Sequence, residues 1–223
     1  MQPQADPFIV PVCHDEIEIL YQDDSLLLIN KPSKLLTLSG KHPLNKDSVH
    51  YRLVKEFPTA TMIHRLDFGT SGILIVALNK KVNAHICKQF QERSVKKNYT
   101  ALLYGHLAED AGTIDLPIAK DILNFPLQKI CFGTGKKAMT NYEVIERITE
   151  PFATRVSFTP ISGRTHQLRI HAGEIGHPIL GCDLYATDEA FFMASRLMLH
   201  AGRIEFDHPV TGEKVDIVCP CPF

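Results

Sequence analysis

The sequence has almost no net charge, no long apolar run and no complete copy of any common cofactor or metal motif. Its formal charge is −1 over 223 residues. That sets up no global field to draw in a polyanion, so any nucleic-acid binding must come from local basic patches. No stretch approaches the ~20 apolar residues that span a bilayer, so no membrane association is expected. The segment from Met1 to Val12 lacks the basic region and apolar run of a secretory signal. Cys13, Cys87, Cys131, Cys182, Cys219 and Cys221 are scattered, which reads as a reduced, cytoplasmic protein with free thiols. Cys219-Pro220-Cys221 has no second pair to complete a zinc site. His166 and His171 lack the Glu and the spacing of a zinc-peptidase helix. Gly133-Thr134-Gly135-Lys136-Lys137 is an incomplete phosphate loop, and no Gly-x-Ser-x-Gly elbow occurs. No metal and no metal ligand set is therefore expected. Internal repeats, low-complexity tracts, splitting linkers and coiled-coil heptads are also missing, which makes a monomer the default expectation.

What is present is ordinary for a globular chain: 44% hydrophobic and 22% charged residues, enough for a core that needs no staples. Residues 1–16 are proline-rich and read as a flexible N-terminal arm, with one folded domain over 17–223. Residues 17–21 and 25–30 read as two strands around Gln22-Asp23-Asp24. Asp47 is expected to cap a short helix through Val49, Leu53 and Val54 to Phe57, stopped by Pro58. Residues 72–78 read as a strand buried on both faces. Residues 81–93 read as an amphipathic helix with Val82, Ile86 and Phe90 at spacing four. Residues 99–104 are strand-like, and 112–137 look irregular. Residues 139–145 and 153–158 should pair around Thr149-Glu150-Pro151, and 165–175 should be a helix ended by Gly176. Residues 195–206 and 215–218 read as closing strands joined by Pro209-Val210-Thr211-Gly212. Strands outnumber helices without regular alternation, which predicts an α+β fold with a mainly antiparallel sheet.

Three polar segments sit beside apolar elements. In the first, Asp67 lies with Phe68, Gly69 and Gly72 just ahead of the buried strand. A carboxylate there would be partly desolvated and would need a cation to stay ionised. Residue type alone favours a plainer reading, a turn or a structural ion pair. The second, from Ser162 to His171, concentrates donors on one short helix, with Arg164, Leu168 and His171 able to share a face and Arg169 off that stripe. A solvated basic face is the plain reading, and the interleaved apolar residues argue against full exposure. The third, Lys96-Lys97-Asn98-Tyr99-Thr100, starts a strand with a Tyr. Such a Tyr packs with its hydroxyl bonded, or stacks on a base, or moves a proton. Lysines recur at 31, 34, 41 and 46, at 80, 81, 88, 96 and 97 (with Arg93), and at 120, 129, 136 and 137, a pattern able to meet phosphates.

Together these segments resemble the RluA family of pseudouridine synthases. The matching strings, in order, are Asn30-Lys31-Pro32-Ser33-Lys34-Leu35-Leu36, His64-Arg65-Leu66-Asp67 with Thr70-Ser71-Gly72, Lys97-Asn98-Tyr99, Gly163-Arg164-Thr165-His166-Gln167-Leu168-Arg169-Ile170-His171, Gly176-His177-Pro178-Ile179-Leu180-Gly181 and Leu199-His200-Ala201. The resemblance covers about residue 17 to the end. It implies a pseudouridine synthase domain, with a mixed, mainly antiparallel central sheet in two halves, flanking helices and a central active-site cleft. It implies Asp67 as the essential aspartate, Tyr99 as the active-site tyrosine and Arg169 as the arginine paired with the aspartate. Arg65 is implied as the residue that enters the RNA as the base leaves, and Leu199 as the apolar residue under the base. His64, Arg164 and His166 lie in the same strings and are assigned to RNA binding or base flipping. The chain resembles the family member without an S4 domain, which modifies large-subunit ribosomal RNA and the anticodon stem-loop of tRNA.

The reaction so implied breaks the uridine N1–C1′ bond, turns the base and joins C5 to C1′. Nothing is oxidised and no group enters, so no cofactor is called for. A carboxylate against C1′ can stabilise or trap the developing positive charge. Attack on C6 and proton abstraction from C2′ are the competing routes, and the sequence does not choose among them. Two other functions are weighed: an RNA-binding protein of this fold with little or no catalysis, and a hydrolytic nucleosidase that releases uracil.

Overall fold

Asp23 folds the first hairpin. One carboxylate oxygen accepts from the amides of Ser25 (2.7 Å) and Leu26 (2.9 Å), and the other from the Tyr21 hydroxyl (2.9 Å). A short acidic side chain satisfying its own turn is the expected chemistry at such a corner. The computed structural model describes residues 9–223. They divide into two compact units: one takes the chain to Val95 together with Arg203–Pro220, the other Lys96–Gly202 with Cys221–Phe223.

The first unit holds β1 (Glu18–Gln22), β2 (Leu26–Lys31), α1 (Val49–Leu53), β3 (Thr61–Met62), β4 (Ser71–Ala77) and α2 (Lys80–Glu92). β2 pairs antiparallel with both β1 and β4, and β3 also pairs with β4. All seven residues of β4 are buried, as its unbroken apolar run requires. α2 starts on Asn79, whose side chain accepts from the Val82 amide, and lays Val82 and Ile86 against Leu26, Leu28, Ile73 and Ile75. α1 is shorter than the sequence suggested, and its cap is Ser48, which accepts from the Tyr51 amide. Asp47 instead takes Arg52 through two oxygens, at 2.8 and 2.6 Å. The same guanidinium donates to the carbonyls of Cys13 and Asp15, and the Val10 amide donates to Asn45. The part of the N-terminal segment from residue 9 onward is thus tied to this unit; residues 1–8 lie outside the described residues.

The second unit holds β5 (Lys96–Tyr104), β6 (Ala111–Asp115), β7 (Ile118–Lys120), β8 (Gln128–Ile130), β9 (Met139–Ile148), β10 (Ala153–Pro160), α3 (Gln167–Glu174) and α4 (Asp188–Phe192). Its strands run β5-β10-β9-β6, all antiparallel. β7 and β8 form a separate hairpin. Residues 112–137, expected to be irregular, therefore contain most of β6 and all of β7 and β8. Strands this short, with one at the end of its sheet, need few apolar side chains; their partners' backbone holds them. α4 was not foreseen, although Thr187 caps it at the Ala190 amide with Asp188 and Glu189 in its first turn, a recognisable start signal. The core of this unit gathers Leu103, Val156, Phe158, Leu168, Ile179 and Leu199.

β11 (Leu199–Asp207) begins in the second unit and ends in the first, where it pairs antiparallel with β12 (Lys214–Val218). His208 pins their turn: Nδ1 accepts from the amides of Val210 and Thr211, which leaves the proton on Nε2, donated to Asp23 at 2.8 Å. The architecture is α+β with antiparallel ladders and few helices.

Candidate active site

Asp67 sits on the loop that feeds β4, and the segment after β2 fastens that loop at every neighbouring residue. The Thr37 hydroxyl donates to the Leu66 carbonyl (2.8 Å) and accepts the Leu66 amide (3.2 Å). The Lys34 amide donates to the Phe68 carbonyl (2.9 Å), and the Ser33 hydroxyl to the Gly69 carbonyl (2.7 Å). The Asp67 carbonyl accepts from the Thr70 amide. Beneath these contacts lies Lys31, wholly buried. Its ammonium donates to the carbonyls of Pro32 (2.8 Å), Leu35 (2.8 Å) and Phe68 (3.3 Å). A buried cation is tolerable only when its donors are satisfied in this way. Lys31 therefore leaves the set of basic residues read from the sequence as a phosphate-facing surface.

The other residues of that string divide by exposure. Arg65 is exposed and Asp67 half-buried. The His64 Nε2 accepts from the Ile75 amide at 3.0 Å, and its ring lies 4.9 Å from that of Phe90. His64 thereby anchors the start of the string to β4.

In the second unit, Tyr99 packs against the cluster that buries Leu168 and Leu199. Asn98, beside it, donates to the Ser157 hydroxyl at 2.6 Å. Burial pushes the Lys97 ammonium below its usual range. Gly163 lies against this lysine, since a Cβ there would stand 3.7 Å from its Nζ. Gln167 locks the chain entering α3: it accepts from the Ser162 hydroxyl (2.8 Å) and the Arg164 amide (3.0 Å), and donates to the Met139 carbonyl and the Thr140 hydroxyl. Arg164 precedes the helix and donates to the Lys137 carbonyl. His171 is completely buried, between the Thr140 hydroxyl (2.9 Å) and the Leu116 carbonyl (3.0 Å), so it shares no exposed face with Arg164. His166 stands in the left-handed region (φ 56°) at the helix start, its Nδ1 2.7 Å from the Tyr185 hydroxyl.

Arg169 is only 5% exposed. It pairs with Asp183, donates from Nε to the Cys182 sulfur at 3.3 Å, and lies over the Tyr185 ring at 5.3 Å. Asp183 and Tyr185 were missed in the sequence. They follow two and four residues after Gly181, where the matching string stops, and a charged residue inside that apolar stretch was the available signal. Within the units, then, His64, Arg65 and Asp67 share one loop, while Tyr99, Leu199, Arg164, His166 and Arg169 belong to the other unit. The β7–β8 hairpin carries exposed lysines at 120 and 129, and exposes Ile122, Leu123, Phe125 and Phe132, the first three at its tip. No helix among the described residues is long and apolar enough to cross a membrane.

Residues 25–174 match the family model described as RNA pseudouridylate synthase. A dual-specificity RNA pseudouridine synthase RluA from Yersinia pestis is 49% identical over 92% of this chain and 99% of its own. The protein of the same name from Escherichia coli K12 is 44% identical over 99% of this chain and 97% of its own. Among solved structures, human RNA pseudouridylate synthase domain containing 1 superposes with a TM-score of 0.80 at 32% identity, over 96% of this chain and 86% of that one. The second human structure, domain containing 4, has a TM-score of 0.73 at 24% identity over 92% and 88% of the two chains, and shares the fold. With a family model spanning the Asp67 loop and α3, and relatives matched almost end to end, the chain belongs to the RNA pseudouridylate synthase family and is an RNA-modifying enzyme that isomerises uridine.

Proposed function

We propose that this enzyme converts uridines of both large-subunit ribosomal RNA and a tRNA anticodon stem-loop, working as a cytoplasmic monomer on nucleotides it flips from the RNA. The observation that carries the reading is the near end-to-end match to relatives named dual-specificity enzymes. In this reading Asp67, Tyr99 and Arg169 act on one uridine. The Asp67 carboxylate faces the developing charge at C1′ as the N1 bond breaks. The base turns, C5 bonds to C1′, the C5 proton leaves and N1 regains a proton, so the reaction balances as an isomerisation. Arg169 keeps the carboxylate ionised and oriented. Tyr99 holds the turning base or takes the C5 proton, above the apolar floor supplied by Leu199. Flipping costs roughly a few kcal/mol, which Arg65 offsets by filling the vacated stack. Arg164, His64 and His166 serve RNA binding and base flipping. The lysines of the β7–β8 hairpin meet phosphates.

The test uses uridine tritiated at C5, in ribosomal and tRNA stem-loops offered separately. Stoichiometric tritium release from both, with no free uracil, is the expected result. Release from one alone would reduce the reading to a single substrate class. Free uracil would point to a nucleosidase, and binding without release to an RNA-binding protein.

A further inference from the structure

Arg169 lies in the first turn of α3 with its guanidinium almost out of solvent. A cation so enclosed needs a counter-charge and partners for its N–H groups. One short segment supplies them. Asp183 takes Nη2, the Cys182 sulfur accepts from Nε, and the Tyr185 ring lies under the guanidinium plane. Tyr185 is itself fixed, since its hydroxyl accepts the Gln128 amide at 2.9 Å and lies 2.7 Å from His166 Nδ1. The turn that brings this segment to α3 depends on Gly181. Its φ is +69°, and a Cβ there would collide with the Arg196 carbonyl oxygen. Every one of these residues belongs to the same compact unit.

Two features separate this arrangement from an ordinary surface ion pair. The Nε–Nη2 edge is the side a carboxylate meets bidentately, and here Asp183 and Cys182 already occupy it. Any other carboxylate that engages Arg169 therefore meets the Nη1–Nη2 end of the guanidinium rather than its Nε–Nη2 edge. Asp183 is also 60% exposed on its side chain, whereas the guanidinium it holds is not. The carboxylate can thus be altered without opening the core.

We infer that Asp183 is a positioning residue for the isomerisation: with the Tyr185 ring it fixes the plane and orientation of the Arg169 guanidinium. Asp183 does not touch the RNA. This rests on the reading that Arg169 serves Asp67. Its effect falls on the chemical step, because misplacing an orienting group by a fraction of an ångström lowers turnover far more than it alters binding.

The experiment measures single-turnover rates and KM on one stem-loop RNA for the full chain and for Asp183→Asn, Asp183→Glu, Arg169→Ala and the Arg169→Ala/Asp183→Asn double variant, with a thermal melt of each. Asp183→Asn should lower kcat about tenfold and leave KM unchanged or slightly improved, since it deletes a negative charge from an RNA-binding protein. Asp183→Glu should restore most of the rate. The double variant should be no slower than Arg169→Ala, as expected when one residue acts only through the other. Wild-type turnover by Asp183→Asn beside a crippled Arg169→Ala would overturn the inference and leave the reading of Arg169 intact. A loss in Asp183→Asn that disappears below its melting range would likewise overturn it, making the residue merely structural. Normal turnover by Arg169→Ala would instead remove the reading on which the inference stands.

Discussion

The ammonium of Lys31 reaches across to the carbonyl of Phe68, the residue next to Asp67, at 3.3 Å. It also holds the carbonyls of Pro32 and Leu35. This buried cation ties the end of β2 to the Asp67 loop. Ser33, Lys34 and Thr37 fasten the same loop independently. Lys31→Met would keep the volume but take the ammonium donor from the Pro32 and Leu35 carbonyls, while the Phe68 carbonyl keeps the Lys34 amide. We expect a loss of stability of about 2 kcal/mol, a fall in Tm of about 4–8 °C for a chain of this size, and turnover close to normal well below the melt. A variant as stable as the parent would show that the buried ammonium contributes nothing net.

His171 gives stability a pH dependence of known sign. Burial holds its pKa below 6.5, against the opposing effect of the Leu116 carbonyl. The unfolded chain therefore binds a proton that the folded chain refuses in the window from 6.5 down to the folded value. Stability contributed by neutral His171 is complete above 6.5 and declines as pH falls through that window. Melts at several pH values between about 7.5 and about 5.5, a range that brackets the ordinary histidine pKa, should show Tm falling more steeply in the parent than in His171→Gln. Equal slopes would mean that His171 titrates alike in both states.

How much of this was legible depends on what each residue answers to. β4 and α2 could be read because their apolar patterns extend over several turns or a whole strand. β6, β7 and β8 could not, because short pairings are specified by a partner's register. Asp47 and Ser48 are adjacent residues of types that both cap well, and only the structure reveals that Ser48 is the cap and Asp47 is taken by Arg52. Of the candidate site, the strings around Asp67, Tyr99 and Arg169 were visible as residues. Their supports were not: Lys31 looked like surface charge and is fully buried, and Asp183 meets Arg169 only through the turn at Gly181.

The β7–β8 hairpin makes a separate claim on RNA. If Lys120, Lys129 and Lys136 meet phosphates, replacing all three by Ala should weaken RNA binding. It should also flatten the plot of log affinity against log salt, by about 0.9 for every duplex phosphate that a lysine no longer neutralises. An unchanged slope would assign the RNA surface elsewhere.

The proposed catalysis rests most heavily on Asp67. Its loop is fastened through backbone groups and through the side chains of residues 31–37, so Asp67→Asn removes a charge while the fold stays in place. The decisive measurement is pseudouridine formed per enzyme in stem-loop RNA, by the purified variant and at matched RNA occupancy. If the carboxylate acts on the reacting uridine, RNA binding stays normal and product falls by at least about a thousandfold. Pseudouridine formed at a rate near that of the parent would contradict that role.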